Sequence, residues 1–339
     1  MPEMNRRLVL ANRPHGMPKE SDWRMESAPV SEPEDGKILA RALYLSVDPY
    51  MRGRIATSKS YAKSVEIGET MVGGGVGRVV ASRHPDFQAG DTVESMAWGW
   101  QDYAVLDPKI TRKLDQRYGS PRDALGLLGL PGLTAYFALL DVGQPNPGET
   151  VVVSSASGAV GQVVGQIAKI KGCRTIAVAG DDRKIDWCVR DCGYDAGVNY
   201  KTAKDLPAAL AAVCPDGIDV YFDNTGGPIH DAVMGLIRLR ARIIICGTIS
   251  NYNRLGEPDM GPRHLRQVLI NRARIQGFLL WDFQHRYQEA ITQLAAWAKE
   301  GRIKYREDVM DGLQNMPRAF LRLLTGENFG KLLVKIADA

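Results

Sequence analysis

The spacing of hydrophobic positions changes near residue 125 of the 339-residue chain. Before this point the apolar residues come in short runs, and Pro, Gly, Asn or Asp residues bound each run. Short apolar runs between turn residues are typical of β-strands. The runs that we interpret as strands are RLVLA, KILARALYLSV, MVGGGVGRVVAS, DTVESM and WQDYAVLD. This part of the chain therefore predicts a compact β-rich domain.

From residue 126 onward the pattern alternates between strand and helix. The near-continuous apolar segments ETVVVS, RTIAVA, DAGVNY, GIDVYFD and ARIIICG predict strands that are buried on both faces. Helical periodicity between them predicts helices at 158–171, 181–192, 204–213 and 227–237. Strands that alternate with helices form a parallel sheet with right-handed crossovers. The pattern therefore predicts a doubly wound α/β domain.

The segments on either side of this alternation complete the predicted architecture. GLLGLPGLTAYFALL predicts a buried helix that is interrupted at Pro131-Gly132. A long connection at 250–262 leads to a predicted helix at 263–271, a strand in ARIQGFLL and an amphipathic helix in HRYQEAITQLAAWAKE. The tail, which contains FGKLLVKIA, returns to strand, helix and strand, and we expect it to complete the first domain. The predicted domains are residues 1–125 with 303–339, and residues 126–302.

Composition and charge narrow the function classes. With 45% hydrophobic and 24% charged residues, the chain is neither disordered nor fibrous, and no stretch approaches the roughly 20 apolar residues of a membrane helix. Two arginines before only four apolar residues do not make a signal peptide, which predicts a cytoplasmic protein. The net charge of +4 is spread out, so we expect no nucleic-acid partner. Five cysteines without a CxxC pair predict free thiols.

One glycine-rich stretch suggests a cofactor site. SSASGAVGQVVGQ follows the apolar run TVVV, and Ala156, Gly158 and Gly161 fit an AxGxxG version of the dinucleotide-binding fingerprint. At a strand-to-helix turn, small residues let the backbone approach a pyrophosphate, and the helix dipole favours the anion. The alternative is a glycine-rich turn that only packs a helix. Its place after the first strand of the alternation favours dinucleotide binding.

The residues after the next strand leave the choice of dinucleotide open. An NAD enzyme usually places a carboxylate there to accept the ribose 2′-OH, and Asp181 and Asp182 follow the strand tip. Arg183 and Lys184 come next and would suit a 2′-phosphate instead. The acidic residues could also serve only to complement a helix dipole. The pattern alone does not decide among these three interpretations.

Several segments together resemble the medium-chain dehydrogenase/reductase superfamily. They are LPGLTAYFALLDVGQPNPGETVVVSSASGAVGQVVGQIAK, YFDNTGG, ICGTISNYN, RIQGFLL and ENFGKLLVKI. With LANRPHG and LYLSVDPYMRGR, they are similar to the zinc-independent branch of leukotriene B4 12-hydroxydehydrogenase/prostaglandin reductases, plant 2-alkenal reductases and bacterial curcumin reductases. The resemblance covers essentially the whole chain, and curcumin reductases resemble it most.

The resemblance implies a fold and an activity. The expected fold is α/β, with a GroES-like β-rich catalytic domain built from both chain ends and a Rossmann domain between them. The expected activity is reduction by NADPH of a carbon–carbon double bond conjugated to a carbonyl, in a homodimer formed through the Rossmann sheets. Gly73 and Gly74 stand where zinc-dependent relatives have His and Glu, and the four-cysteine zinc lobe is absent. We therefore expect no metal.

The resemblance also implies site residues. Lys184 and Tyr200 match residues that bind the 2′-phosphate in the family, and this match favours NADPH over NADH. Asp181 stands where the family often has a serine, and its carboxylate would repel a phosphate. Residues expected at the pyrophosphate, the nicotinamide and its ribose are Gly158, Ala159, Val160, Gly161, Asn224, Cys246, Gly247, Ser250, Tyr252, Phe278, Leu279 and Asn328. Residues expected to shape the substrate pocket are Tyr50, Arg52 and Tyr61.

The chemistry of an enone suggests a role for Tyr252. Hydride transfer to the β-carbon makes an enolate, and a tyrosine hydroxyl can donate a hydrogen bond to its oxygen while staying neutral at pH 7. We hypothesise that Tyr252 binds the carbonyl oxygen of a conjugated carbonyl substrate; a tyrosine that only packs against the cofactor is the alternative. Two other functions remain open: a quinone reductase of the same fold, and a dinucleotide-binding protein without turnover.

Overall fold

The structure is a computed structural model that describes residues 3–58 and 60–338 of the chain. The strands are β1 Met4–Leu10, β2 Trp23–Pro29, β3 Ile38–Ser46, β4 Gly75–Ser82, β5 Thr92–Ser95, β6 Tyr103–Leu106, β7 Thr111–Lys113, β8 Thr150–Ser154, β9 Arg174–Ala179, β10 Ala196–Asn199, β11 Ile218–Asp223, β12 Ile237–Ile245, β13 Arg274–Gly277, β14 Glu307–Asp311 and β15 Lys331–Lys335. The helices are α1 Met51–Arg54, α2 Leu130–Phe137, α3 Gly161–Ile170, α4 Asp182–Arg190, α5 Leu206–Val213, α6 Gly227–Met234, α7 Leu265–Asn271, α8 Tyr287–Lys299 and α9 Met316–Thr325.

The chain divides into two compact units. Unit 1 comprises the residues up to Gly126, the short segment Asn253–Gly256 and the residues from Glu307 onward. Its largest sheet has the order β14-β15-β3-β4-β5-β7, with β6 also paired to β3, while β1 and β2 form a separate hairpin. Because β15 pairs antiparallel with β3, the C-terminal segment completes the sheet that the N-terminal strands begin.

Unit 2 comprises Leu127–Tyr252 and Glu257–Arg306. Its parallel sheet has the order β10-β9-β8-β11-β12-β13. The central strands β8 and β11 are buried at every position, as their Val- and Ile-rich sequences require. In a doubly wound sheet of this order, ligands bind at the carboxyl edge near the point where the strand order reverses. The predicted combination of a β-rich GroES-like domain and a Rossmann domain is confirmed.

Four predicted details were wrong. Pro131 does not interrupt a helix but lies in the first turn of α2, where its missing N–H costs no hydrogen bond, and α2 continues as a π-helix over Ala138–Gly143. Helix α3 starts at Gly161, not 158, because the preceding residues form the turn. Helix α6 ends at Met234, since Gly235 caps it, and β12 already begins at Ile237. Strands β2 and β7 were not predicted.

Two further features concern membrane association and cysteine chemistry. Within the described residues, no helix is long and apolar enough to span a membrane. The five cysteines are free, and all but Cys246 are buried, as predicted.

Candidate functional site

The turn between β8 and α3 has the geometry that the fingerprint predicts. Ser155 has a positive φ of 51°, and the following residues Gly158–Val160 are partly exposed. A Cβ on Gly161 would lie 2.3 Å from the carbonyl oxygen of Ser155, so only glycine lets the start of α3 come this close to the turn. The partly exposed turn at the N-terminus of this ten-residue helix is a suitable cradle for a pyrophosphate.

A buried tyrosine holds this helix in place. The hydroxyl of Tyr194 donates a hydrogen bond of 2.7 Å to the carbonyl oxygen of Gly161. A Cβ on Gly165 would lie 1.9 Å from the ring of Tyr194, so the second glycine of α3 makes room for that ring. The first turn of α3 is therefore fixed by a contact with a residue that the sequence analysis did not single out.

The tip of β9 brings together the residues predicted to choose the dinucleotide. The ring of Tyr200 lies against Gly180, because a Cβ built there would be 3.0 Å from its hydroxyl oxygen. Lys184 is partly exposed in the first turn of α4. Asp181 caps α4 by accepting the amide of Arg183 at 2.8 Å, and its carboxylate also pairs with the Arg183 guanidinium at 3.2 Å. The hydrogen bond from Arg183 lowers the pKa of Asp181 and partly compensates its charge.

The ends of β11 and β12 place the next group of predicted residues. Asn224 donates its side-chain amide to the carbonyl oxygen of Ser154 at 2.7 Å and its backbone N–H to the Ser154 hydroxyl at 2.8 Å. The amides of Cys246 and Gly247 donate to the carbonyl oxygen of Asp223. Burial, and then the Asp223 carboxylate, raises the pKa of the Cys246 thiol to about 12. The Cys246 thiol is therefore neutral near pH 7.

Tyr252 lies next to these residues. A Cβ built on Gly247 would be 3.2 Å from the carbonyl oxygen of Asn224 and 3.7 Å from the hydroxyl oxygen of Tyr252. Ser250 donates its hydroxyl to the carbonyl oxygen of Thr225 at 2.6 Å, which fixes the segment that carries Tyr252. The Tyr252 hydroxyl, Gly247 and Asn224 are therefore neighbours at the carboxyl edge of the sheet.

Phe278 and Leu279 follow β13 at the same edge. The amide of Phe278 donates to the carbonyl oxygen of Ile245, and its ring stacks on Phe283 with centroids 5.3 Å apart. Leu279 is exposed. The unit therefore places the predicted residues of 158–279 at the ends of consecutive strands.

The predicted substrate residues lie in unit 1, around α1. Tyr50 precedes α1, and burial, followed by the Asp48 carboxylate, raises its pKa, so its phenol is protonated near pH 7. Tyr61 is exposed and close enough to contribute to that shift. Arg52 is only 2% exposed, and its guanidinium donates to the carbonyl oxygen of Gly16 at 2.8 Å. Its contact with substrate stays a prediction.

Another buried cluster supports the same loop. The ammonium group of Lys331 is buried and donates to the Ser46 hydroxyl at 2.6 Å, to the Val47 carbonyl oxygen and to Asp48 Oδ1 at 2.6 Å. Asn328, predicted near the nicotinamide, donates its amide to the carbonyl oxygen of Gly330 just before this lysine. The sequence analysis assigned no role to Lys331, although it lies in the segment ENFGKLLVKI, because its partners lie almost 300 residues earlier in the chain.

The residues at the position of the family's catalytic zinc do not fit a metal. A Cβ on Gly73 would lie 3.0 Å from Met51 Cε and from the indole of Trp100, and one on Gly74 would lie 3.1 Å from Met96 Sδ. Apolar and thioether groups thus fill the space of the missing His and Glu ligands. No cluster of three or more His, Cys, Asp or Glu residues that could hold a metal occurs in the described part of the chain.

Comparisons with known proteins agree with this geometry. Residues 6–114 match the family "N-terminal domain of oxidoreductase", and residues 159–296 match "Zinc-binding dehydrogenase". The chain is 46% identical to the NADPH-dependent curcumin reductase of Escherichia coli, over 99% of this chain and 98% of that protein. It is 40% identical to the NADP⁺-dependent 2-alkenal reductase of Nicotiana tabacum, over 98% of both. The crystal structure of CurA from Vibrio vulnificus in complex with NADPH is 45% identical, with a TM-score of 0.93 over 98% of this chain and all of that one.

Proposed function

The chain belongs to the medium-chain dehydrogenase/reductase superfamily, in the branch of curcumin, prostaglandin and 2-alkenal reductases, and on that premise we propose that it is an NADPH-dependent enone and alkenal reductase. Its substrates are ketones and aldehydes whose carbonyl is conjugated to a carbon–carbon double bond. The observation that carries the proposal is the Tyr252 hydroxyl, which lies beside Gly247 and Asn224 at the sheet edge that also carries the α3 turn.

NADPH fits the residues at this edge. The α3 turn would hold the pyrophosphate, and Lys184 with Tyr200 would bind the 2′-phosphate at the tip of β9. The pairing of Asp181 with Arg183 weakens the repulsion that Asp181 would otherwise exert on that phosphate. Asn224, Cys246, Gly247, Ser250, Phe278, Leu279 and Asn328 are proposed to surround the nicotinamide and its ribose.

The chemistry requires a hydride donor and a hydrogen-bond donor. NADPH, when bound, supplies the hydride for the β-carbon of the substrate. Tyr252 donates a hydrogen bond to the carbonyl oxygen, on which negative charge develops as the enolate forms. The contact between Ser250 and Thr225 holds the Tyr252 segment, so the hydroxyl needs little reorganisation during the reaction. The α-carbon then takes a proton from Tyr252 or from solvent.

Tyr50 and Tyr61 are proposed to contact the substrate. Their rings suit a flat conjugated system, and the protonated phenol of Tyr50 can donate a hydrogen bond. We assign Arg52 mainly to shaping this region, because its guanidinium is buried and bonded to the backbone of Gly16.

The test is the oxidation of NADPH with a linear enone as acceptor, with NADH in parallel and identification of the saturated ketone. We expect turnover with a strong preference for NADPH. Tyr252→Phe should lower kcat roughly 100-fold or more, the range for loss of one donor to a developing oxyanion. Tyr118→Phe is the matched control, because this tyrosine is not among the residues proposed to bind the cofactor or the substrate. Full activity of Tyr252→Phe would refute its role, and turnover with quinones alone would replace enones as the substrate class.

We also propose a homodimer that forms through the parallel sheet. β13 is the end strand of that sheet and its residues are exposed. Ile275 of this strand is exposed, and so are three apolar side chains of the preceding helix α7, Leu265, Leu269 and Ile270. An uncovered edge strand and exposed apolar side chains both favour association with a second copy. Light scattering of the wild-type protein and of Ile275→Lys tests this proposal, and a wild-type monomer would refute it.

We also propose a cytoplasmic location, which cell fractionation would test.

A further inference from the structure

The carboxylate of Asp223 organises the turn that follows β11. Asp223 is inaccessible to solvent, and its Oδ1 accepts the backbone amides of Thr225 at 2.9 Å and Gly226 at 2.8 Å. Its Oδ2 lies 2.8 Å from Nδ1 of His230, a residue of α6. Because an ionised carboxylate only accepts hydrogen bonds, this His230 nitrogen must carry a hydrogen. Asp223 thus ties the turn to helix α6.

The same carboxylate reaches the proposed cofactor residue Asn224 through a serine. The hydroxyl of Ser154 lies 3.2 Å from Asp223 Oδ1 and accepts the backbone N–H of Asn224 at 2.8 Å. The side-chain amide of Asn224 also donates to the Ser154 carbonyl oxygen. A continuous series of hydrogen bonds therefore runs from His230 through Asp223 and Ser154 to Asn224.

The surroundings of His230 favour a positive charge. The hydrogen bond that His230 donates to Asp223 raises the pKa of His230, and burial opposes this without reversing it. Burial alone would raise the pKa of Asp223, but hydrogen bonds from His230 and from the turn amides lower it on balance. Several groups face His230 from the elements packed against it. They are Asp223 and Tyr221 of β11, Asp231 of α6, Asp259 in the connection before α7, and His264 at the start of α7. The ring centroid of His264 lies 6.1 Å from that of His230.

We propose that His230 is a positioning residue for the cofactor: its protonated ring holds Asp223 and, through Ser154, fixes Asn224 in the arrangement that binds the nicotinamide end of NADPH. This inference rests on the proposed function. A charged donor makes a stronger hydrogen bond than a neutral one, and a buried carboxylate without a counter-charge is costly. Loss of the proton from His230 therefore loosens the turn, and NADPH should bind more weakly.

The raised pKa of His230 determines how NADPH binding should change with pH. A histidine with a raised pKa contributes its charged interaction fully below its ordinary value of about 6.5 and loses it as the pH rises through the raised value. The weakening of NADPH binding should therefore occur above about pH 6.5. Binding and protonation are reciprocal, so bound cofactor must raise the pKa of His230 by the logarithm of the same factor.

The first experiment uses the wild-type protein only. Histidine ring resonances are followed by NMR through a pH titration, with and without saturating NADP⁺. For a roughly fivefold coupling, at the low end of known couplings, NADP⁺ should raise the pKa of His230 by about 0.7. An unchanged His230 titration with NADP⁺ bound would overturn the inference and leave the proposed function intact.

The second experiment measures the Kd of NADPH from pH 6 to 9 by fluorescence. His230→Gln keeps a hydrogen-bond donor but no charge, and we expect roughly fivefold weaker binding than the wild type at pH 6 and equal binding at pH 9. The 2′-phosphate titrates equally with both proteins, so their ratio isolates His230. His84→Gln is the matched control, because His84 lies in unit 1 beside Asp86, outside this series of hydrogen bonds, and the variant should retain the pH dependence.

The outcomes separate this inference from the function on which it rests. Parallel pH profiles for wild type and His230→Gln would overturn the role of His230 while NADPH-dependent turnover stands. A wild-type protein that binds no NADPH at any pH would overturn both.

Discussion

Two glycine-rich segments, residues 73–77 and residues 156–161, look alike in sequence and differ in what lies opposite their glycines. In the first segment, tryptophan rings lie against the strand: a Cβ on Gly75 would be 2.4 Å from Trp98, and one on Gly73 would be 3.0 Å from Trp100. In the second, a Cβ on Gly161 would meet the backbone of its own turn, and Gly158 is partly exposed.

The difference shows that glycine content alone does not identify a ligand site. Trp98 and Trp100 are fully buried, so the glycines of the first segment are required for core packing. In the second segment the backbone at Gly161 lies close to the backbone of Ser155, and the N-terminus of α3 lies next to a partly exposed turn. Only the second arrangement suits an anion. Trp98 and Trp100 pack in the core of unit 1.

The largest effect is expected for Gly77→Ala in the first segment. The added Cβ would lie 2.0 Å from the carbonyl oxygen of Arg41 in the paired strand and 2.5 Å from Trp98. Neither group can move without opening the sheet, so we expect a loss of about 3 kcal/mol in the free energy of unfolding. Thermal denaturation measures it, with Gly235→Ala as the control because a Cβ there meets only ordinary contacts. Equal melting of the two variants would contradict this account of the segment.

The next effect is expected for Gly161→Ala in the second segment. A Cβ 2.3 Å from the Ser155 carbonyl oxygen forces the turn away from the start of α3. We expect the Kd of NADPH to rise roughly 100-fold, which corresponds to about 2.7 kcal/mol. Fluorescence titration measures it, again against Gly235→Ala. If Gly161→Ala bound NADPH normally, the turn would not be the pyrophosphate site.

A third variant tests whether the first segment can regain a metal. The double substitution Gly73→His with Gly74→Glu restores the ligand types of zinc-dependent relatives, but Met51, Met96 and Trp100 occupy the space. We expect about 2 kcal/mol of destabilisation from overpacking and no bound zinc. Metal analysis after dialysis against zinc measures this outcome. Zinc bound at one equivalent would show that the core can rearrange around the ligands.

The smallest effect is expected for Asp181→Ser, near the second segment. Serine retains the helix cap but removes a negative charge close to the proposed 2′-phosphate site. We expect roughly threefold tighter binding of NADPH, diminishing at high salt because the charge is at the surface. Binding of NADH, which lacks the phosphate, serves as the internal control. Equal tightening for both cofactors would place the 2′-phosphate elsewhere.

Much of unit 2 was predictable because its signals are local. The apolar runs and the helical periodicity predicted β8 to β13 and the helices between them, and the fingerprint predicted the turn before α3. The errors arose where a local signal has two outcomes. Pro131 can break a helix or start one, and in the structure it lies in the first turn of α2.

The hydrogen-bonded partners that shape the site were not predictable. His230 lies seven residues after Asp223, in another element, and no spacing rule joins a strand end to the following helix in this way. Lys331 and Asp48 form a buried pair across almost the whole length of the chain. Both pairs exist only because folding brings distant backbone segments together.

By itself, the sequence determined the order and type of most elements, the parallel sheet of unit 2 and the place of the glycine-rich turn before α3. These features depend on residues that are neighbours along the chain, so periodicity and turn chemistry reveal them. Only the tertiary structure decided what each glycine accommodates, that the guanidinium of Arg52 is buried against the backbone of Gly16, and that hydrogen bonds connect His230 to Asn224. These outcomes depend on packing between residues far apart in sequence, which no local pattern encodes.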